Sequence, residues 1–198
     1  ERDYRQAIAW FSQAANRGHV SAQYNLGMMY AKGQGVARDD VQAVTWYRKA
    51  AVRGHDISQI NLGTMYYFGQ GVEQDYCQAV DWFRKAAEQG NAVAQNNLGS
   101  MYKDGQGVSQ NYVQSVVWFR LAAEQGHSGA QINLAAMYFN GQGVPRNYVQ
   151  AYAWFSVAAE NGQIDDRSVA AAHLSSDQLA QAKKLATLYL EQYKFHGY

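Results

Sequence analysis

Tryptophan recurs along this chain at one fixed interval, and that interval limits the possible folds more than any other feature. The five residues are Trp10, Trp46, Trp82, Trp118 and Trp154, each 36 residues after the last. Columns of leucine, tyrosine and glycine repeat with the same step, without insertion or deletion. A period of this length is typical of a stacked array of short units. The sequence therefore predicts a repeat protein.

Each unit is predicted to contain two helices, because its apolar positions recur at steps of three and four residues rather than in alternation. The first helix is expected from about Val20 to Lys32. A glycine inside that helix, as at Gly27, needs a packing reason, and a closely approaching partner helix supplies one. The second helix opens with Asp or Asn three residues before Gln, a spacing typical of a capping box. These pairs are Asp3 and Gln6, Asp39 and Gln42, Asp75 and Gln78, Asn111 and Gln114, and Asn147 and Gln150.

The period also divides the chain into segments. Residues 1–18 are the second helix of a truncated repeat, residues 19–54, 55–90, 91–126 and 127–162 are complete repeats, and residues 163–198 form a helical cap. In the cap the repeat columns stop, and Ser175 with Gln178 begins a last helix that runs to about Gln192. The chain starts at Glu1 with neither an initiator methionine nor a leader, so we expect a fragment that has lost upstream repeats and its targeting segment.

Composition excludes several classes of protein. An aromatic content of 14% argues against disorder, and 17 basic against 16 acidic residues argue against nucleic-acid binding, which needs a basic excess. The single cysteine, Cys77, cannot close an intrachain disulfide. The longest apolar runs, such as Leu134 to Phe139, are far below the roughly 20 residues needed to span a bilayer. We therefore expect no transmembrane segment.

The repeated columns resemble the Sel1-like repeat. One copy contains Ala94, Leu98, Gly99, Tyr102, Gly105, Gly107 and Val108, followed by Ser115, Trp118, Phe119, Ala122, Ala123 and Gly126. The resemblance implies an all-α fold: a right-handed α/α superhelical solenoid of 36-residue helix-turn-helix repeats, similar to tetratricopeptide repeats, with a C-terminal capping helix. Some family members carry a disulfide in each repeat, which the single Cys77 does not allow.

The same resemblance implies a non-enzymatic scaffold or adaptor that binds a partner protein or peptide in its concave groove. Bacterial members are often exported and serve envelope assembly, signalling or host interaction, and eukaryotic members include an endoplasmic-reticulum quality-control scaffold. We accordingly expect an exported bacterial protein, periplasmic or secreted, with no catalytic residue, cofactor or metal. Two other classes stay open: an enzyme or accessory factor acting on cell-wall material or an antibiotic, and a protein that binds lipid headgroups or glycans.

Some columns vary between copies, and those columns are free of the packing that every copy shares. On the first helix they lie three or four residues apart, which is one helical face. The predicted partner-binding residues are Tyr24, Met28, Ile57, Ile60, Thr64, Tyr67, Asn96, Ser100, Lys103, Ile132, Ala136 and Phe139. Their apolar character favours recognition of an extended or helical peptide through apolar pockets. The alternative is that these side chains pack onto the neighbouring repeat.

Other patterns favour structural roles. His19, His55 and His127 share one column, but copies one repeat apart, roughly 10 Å, cannot easily share a metal ion, so a position at the start of the first helix is favoured. The Gly-Gln-Gly turn lacks the third glycine of a dinucleotide-binding loop and follows a helix. The pairs Asp39-Asp40 and Asp165-Asp166 are expected to cap helices. Tryptophan could stack a ligand, but its place in an apolar stripe favours the core.

Overall fold

A computed structural model describes residues 4–163 and 165–193, without the side chain of Arg5. In those ranges the chain forms eleven helices and no strand. They are α1 (Tyr4–Asn16), α2 (Val20–Lys32), α3 (Asp40–Ala51), α4 (Asp56–Phe68), α5 (Tyr76–Glu88), α6 (Ala92–Asp104), α7 (Tyr112–Glu124), α8 (Ser128–Asn140), α9 (Tyr148–Glu160), α10 (Arg167–Ala171) and α11 (Ser176–Tyr193). The predicted all-α class and helix-turn-helix repeats are confirmed, and the chain divides into two compact units, Glu1–Gly90 (unit 1) and Asn91–Tyr198 (unit 2).

The second helix of each complete repeat begins where the capping pattern predicts. Asp39 accepts a hydrogen bond from the Gln42 N–H at 3.0 Å, which satisfies one of the orphan amides of the first turn of α3. The corresponding caps are Asp75, Asn111 and Asn147, each bonded at 3.0 Å. Asp3 lies outside the described residues. At α11 the reciprocal box is complete, since Ser175 N–H donates to Gln178 Oε1 and Gln178 N–H donates to Ser175 Oγ.

The two glycines of each Gly-Gln-Gly turn have different tasks. The first, such as Gly69 with φ +67°, ends the first helix in the left-handed region that favours glycine. The second approaches the backbone at the start of the preceding second helix. A Cβ added at Gly71 would overlap the Asp40 carbonyl and lie 2.8 Å from the Val41 nitrogen. The turn therefore docks one repeat onto the one before it, and Gly143 repeats this contact on Tyr112 in unit 2.

The two helices of a repeat pack closely where the first helix carries glycine. A Cβ at Gly63 would lie 2.8 Å from the Phe83 ring, and one at Gly99 would lie 2.7 Å from the Phe119 ring. Leu62 and Leu98, the neighbouring residues, are fully buried. The expected close helix contact is confirmed, and it explains a residue that by itself weakens a helix.

The tryptophan column packs on the repeat that precedes it. Trp82 of α5 joins the core cluster of α3 and α4, and 8% of it is exposed. Trp154 is buried in the same way against α7 and α8. The expectation that this column is core is confirmed at Trp82 and Trp154, whereas Trp10, in the first described helix, is 70% exposed.

A buried glutamine in each first helix ties successive helices together. In unit 1, Gln59 donates to the Ala51 carbonyl at 3.0 Å and accepts from Gln89 at 2.7 Å. Unit 2 repeats the pattern with Gln131, which donates to the Ala123 carbonyl at 3.1 Å and accepts from Asn161 at 2.9 Å. The column is polar yet nearly inaccessible to water, so these bonds offset its desolvation.

The C-terminal segment packs on the last complete repeat. The predicted final helix is confirmed as α11, and its Tyr189 and Tyr193 lie with ring centroids 4.8 Å and 5.4 Å from Trp154. The sequence did not predict α10, a single short turn of helix before it. Both α10 and α11 pack against α9, where Val157 becomes fully buried.

Candidate partner-binding surface

The twelve predicted partner-binding residues lie on the least buried side of the first helices, here called the first-helix face. Tyr24 and Met28 belong to α2, and four more residues belong to α4 in the same unit. Those four are Ile57, Ile60, Thr64 and Tyr67, of which Ile57 is exposed at 44% and the others are half-buried. Unit 2 carries the remaining six on α6 and α8, all half-buried: Asn96, Ser100, Lys103, Ile132, Ala136 and Phe139.

In unit 1 the face is aromatic at two points. The Tyr24 ring lies 4.9 Å from the imidazole of His55, which caps the start of α4, so α2 and α4 meet on this side. Tyr67 contacts the rings of Phe68 at 4.8 Å and Tyr76 at 5.2 Å, both edge to face. Phe68 is 61% exposed. These three rings form a cluster at the C-terminal end of α4 that solvent reaches.

In unit 2 the face combines polar and aromatic groups. Asn133 of α8 donates to the side-chain oxygen of Asn96 on α6 at 3.0 Å, which joins the two first helices across the face. Phe139 lies 5.2 Å from Tyr148 and 5.5 Å from His173, while Tyr148 and His173 stack at 4.5 Å. Within each unit the structure therefore brings a variable residue of one first helix into contact with the next first helix or its cap, as Tyr24 does with His55 and Asn96 with Asn133.

Packing onto a neighbouring repeat, the alternative to partner binding, also occurs on this face. Tyr24 packs against the core cluster that α3 and α4 build, and its ring lies 4.9 Å from His55 of the next repeat. Ile132 and Phe139 pack in the same way against the core of unit 2. Half-burial is the result: one side of each residue supports the stack, and the other side remains available for contact.

Charge is sparse on the face. Lys103 is the single charged residue among the twelve, and its ammonium group lies 3.6 Å from the carboxylate of Asp104. Beneath the face, burial is the main cause that raises the pKa of Tyr47 to about 12, so its hydroxyl keeps its proton. The surface offers apolar contact and neutral hydrogen bonding.

Part of this surface was not predicted from the sequence. Phe68, Tyr76 and Tyr148 were not among the predicted residues, although they extend the aromatic clusters. An asparagine column was also passed over, comprising Asn25, Asn61, Asn97 and Asn133. This column does not vary between copies, and the partner-binding residues were predicted only from columns that do. The same polar residue in every copy, on a half-exposed helical face, was the sequence feature that could have indicated this column.

The histidine column lies at the start of the first helices, as favoured from sequence, and caps two of them with its side chains, whereas His19 occupies the N-cap of α2 without a side-chain hydrogen bond. His55 Nδ1 accepts from the Ser58 N–H at 3.2 Å, and His127 Nδ1 accepts from the Ala130 N–H at 3.1 Å. Asn91 performs the same task for α6. Burial lowers the pKa of His127, and an imidazole that accepts this bond must be neutral. Within the ranges that the structure describes, no group of His, Cys, Asp or Glu is arranged to hold a metal ion.

The paired aspartates have mixed roles. Asp39 caps α3 as expected, whereas Asp40 forms a bidentate ion pair with Arg38 at 3.0 Å and 2.8 Å. Asp165 pairs with Arg167, and that hydrogen bond lowers the pKa of the Asp165 carboxyl. Asp166 precedes α10 and makes no capping bond from its side chain, so the capping expectation is wrong at this residue.

The repeats of this chain match a known repeat family. The model of the Sel1 repeat family matches residues 1–19, 20–55, 56–91, 92–127 and 128–163. No curated protein is significantly similar in sequence. No helix within the described ranges is long and apolar enough to span a membrane.

Solved structures with the same fold come from bacteria. A Sel1 repeat protein from Oxalobacter formigenes is 31% identical with a TM-score of 0.82, covering 95% of this chain and 80% of that one. A protective antigen of uropathogenic Escherichia coli strains that displays an SLR fold is 30% identical with a TM-score of 0.57. The match covers 98% of this chain but only 65% of the antigen. An immunity protein from Pseudomonas aeruginosa is 25% identical with a TM-score of 0.53, covering 94% and 71%.

Proposed function

The chain belongs to the Sel1 repeat family, whose members generally mediate protein–protein interaction, and from that premise we propose that it binds a protein partner on the first-helix face. The observation that carries the proposal is the half-buried state of the variable columns in both units. Side chains held on one side by the stack are positioned in advance, so less conformational entropy is lost when a partner covers the other side.

The chemistry of the face selects the kind of partner. Aromatic and aliphatic groups dominate in unit 1, and the amides of Asn96 and Asn133 add neutral hydrogen bonding in unit 2. One lysine that is already paired with Asp104 cannot form a clamp for a chain terminus. We therefore expect the partner to present an apolar or aromatic peptide segment, extended or helical, rather than an acidic one.

The bacterial relatives favour a role in the envelope, in signalling or in host interaction, within the periplasm or outside the cell. One relative is described as a protective antigen and another as an immunity protein. Sel1 repeat scaffolds are generally non-enzymatic, which fits a chain that acts by holding its partner.

The test removes one aromatic side chain from the face of each unit. The double variant Tyr67→Ala with Phe139→Ala should lose partner binding by about 10-fold or more, since buried aromatic anchors dominate interfaces. The matched control is Val41→Ala with Val113→Ala, because both valines are exposed on second helices and neither belongs to the first-helix face.

Partners are first captured from the source cell with the native chain and identified by mass spectrometry. The dissociation constant of each purified partner is then measured with both double variants, together with their helical content by circular dichroism. Unchanged affinity in a folded Tyr67 and Phe139 variant, or equal losses in the control, would contradict the proposed surface.

A further inference from the structure

A cavity of about 530 Å³ that is open to solvent lies between the beginning of α9 and α11, inside unit 2. None of the twelve residues of the first-helix face lines it, although Tyr148, whose ring packs against Phe139, does. Its polar lining is Arg146, Asn147, Tyr148, Gln150, Gln178 and Gln181, of which Arg146 and Gln178 are exposed to solvent, and its apolar lining is Val149, Leu174 and Leu185. The repeats before it have no equivalent of α11, so this cavity belongs to the C-terminal segment rather than to the repeat pattern. Its size is that of a site for a small ligand.

Two of the glutamines have their oxygens already occupied. Gln150 Oε1 accepts from the Tyr189 hydroxyl at 3.0 Å, and Gln178 Oε1 accepts from the Ser175 N–H at 3.0 Å. Each amide is thereby oriented, and its NH₂ group is the part left to bind a ligand. Burial raises the pKa of Tyr189, which keeps its hydroxyl protonated as the donor that orients Gln150.

Arg146 adds a charge that nothing in the lining neutralises. No residue that lines the cavity carries a carboxylate, and Arg146 forms no ion pair within the described ranges. Arg38 occupies the same repeat column, 108 residues earlier, but its guanidinium is held by Asp40. The cavity therefore collects hydrogen-bond donors and one positive charge, a set that fits a carboxylate.

We propose that this cavity binds a carboxylate that carries a branched aliphatic chain. Arg146 and the amides of Gln150 and Gln178 hold the two carboxylate oxygens. Leu174 and Leu185 cover the aliphatic chain. Two sources offer this chemistry: the C-terminal leucine or valine of a peptide, and a free branched-chain acid.

Binding is measured by isothermal titration with three probes. They are N-acetyl-Ala-Ala-Leu with a free carboxylate, the same peptide as its C-terminal amide, and 4-methylpentanoate. The free peptide acid should bind about 10-fold or more tightly than the amide, because the charged hydrogen bonds need the carboxylate. Equal affinity of 4-methylpentanoate and the peptide acid identifies a small acid as the source, and a clear preference for the peptide identifies a chain terminus. No binding by either acid, or equal binding of acid and amide, overturns the proposal.

Substitutions separate the cavity from the rest of the chain. Gln178→Glu keeps an oxygen to accept from the Ser175 N–H, so α11 stays capped, but it places a negative charge in the cavity. Arg146→Gln removes the positive charge. Each should weaken binding of the peptide acid by about 10-fold or more. Arg38→Gln is the matched control, since it makes the same change in the same repeat column at a residue that does not line this cavity.

Thermal melting shows that each variant is folded before its titration. Undiminished affinity in Arg146→Gln or Gln178→Glu, or an equal loss in Arg38→Gln, would overturn the assignment. Tyr67→Ala lies in unit 1 and should leave this binding unchanged. Failure of the cavity and failure of the first-helix face are therefore separate results.

Discussion

Replacement of Gly71 by alanine should destabilise unit 1 more than the same replacement at Gly54. Both glycines have a left-handed backbone, with φ +67° at Gly71 and φ +88° at Gly54. An added Cβ meets no atom within 4 Å at Gly54. At Gly71 it overlaps the backbone of Asp40. The pair therefore separates backbone strain from the close approach between successive repeats.

The magnitude follows from that difference. A left-handed conformation costs alanine about 1–2 kcal/mol, and reduced entropy of the unfolded chain offsets about 0.4–1 kcal/mol. Both effects act at both sites and cancel in the comparison. The overlap at Gly71 involves backbone atoms, so no change of rotamer relieves it and the turn must move away from the start of α3. Overpacking of this kind costs about 1–3 kcal/mol, which is the expected excess for Gly71→Ala over Gly54→Ala.

Urea denaturation followed by far-ultraviolet circular dichroism measures the free energy of unfolding of both variants and the native chain. Native-state hydrogen exchange of the amides at the start of α3 locates the effect, since each repeat interacts mainly with its neighbours. Gly71→Ala should speed exchange there, and Gly54→Ala should not. Equal losses of stability in the two variants would show that the turn does not dock the repeats.

Two further predictions concern polar groups. Arg53→Gln exchanges the exposed hydrogen bond that Arg53 donates to the Gly18 carbonyl for one to the buried Gln23 Oε1, which has no partner. Because a buried acceptor without a partner costs more than an exposed one, the free energy of unfolding should rise by about 1 kcal/mol. A lower urea midpoint would refute this. Burial lowers the pKa of His127 from its ordinary 6.5, so its contribution to stability is full above that value and is lost as pH falls through the lowered pKa of the folded state. His127→Asn should keep the cap of α8, as Asn91 caps α6 in the same column. It should also make the urea midpoint less dependent on pH between about pH 7.5 and pH 5. An unchanged dependence on pH would show that His127 is not its source.

Local sequence patterns predicted the helices well because the forces that begin and end a helix act over a few residues. The bond from Asp39 to Gln42 spans three positions, and the left-handed turn at Gly69 needs no distant partner. Such features can be read from spacing. The short helix α10 could not, because its five residues carry no repeat column and no side-chain cap.

Patterns between copies predicted the first-helix face only in part. Variation identified Tyr67 and Phe139, but it could not show that Phe68 is exposed beside them or that Asn133 bonds to Asn96. Residues in a column that stays constant between copies can pack between repeats, lie at the surface, or do both. Residue identity alone does not separate these cases, because exposure depends on what packs from the neighbouring repeat.

The sequence by itself determined the repeat period, the pairs of helices, their caps and the family. It did so because hydrogen bonding and side-chain periodicity within a helix are local. The tertiary structure decided which tryptophans of the column are buried, since Trp82 and Trp154 are covered by packing from other helices and Trp10 is 70% exposed. It also decided where the cavity forms. Gln150 and Tyr189 are 39 residues apart, and only the packing of α11 on α9 brings them together.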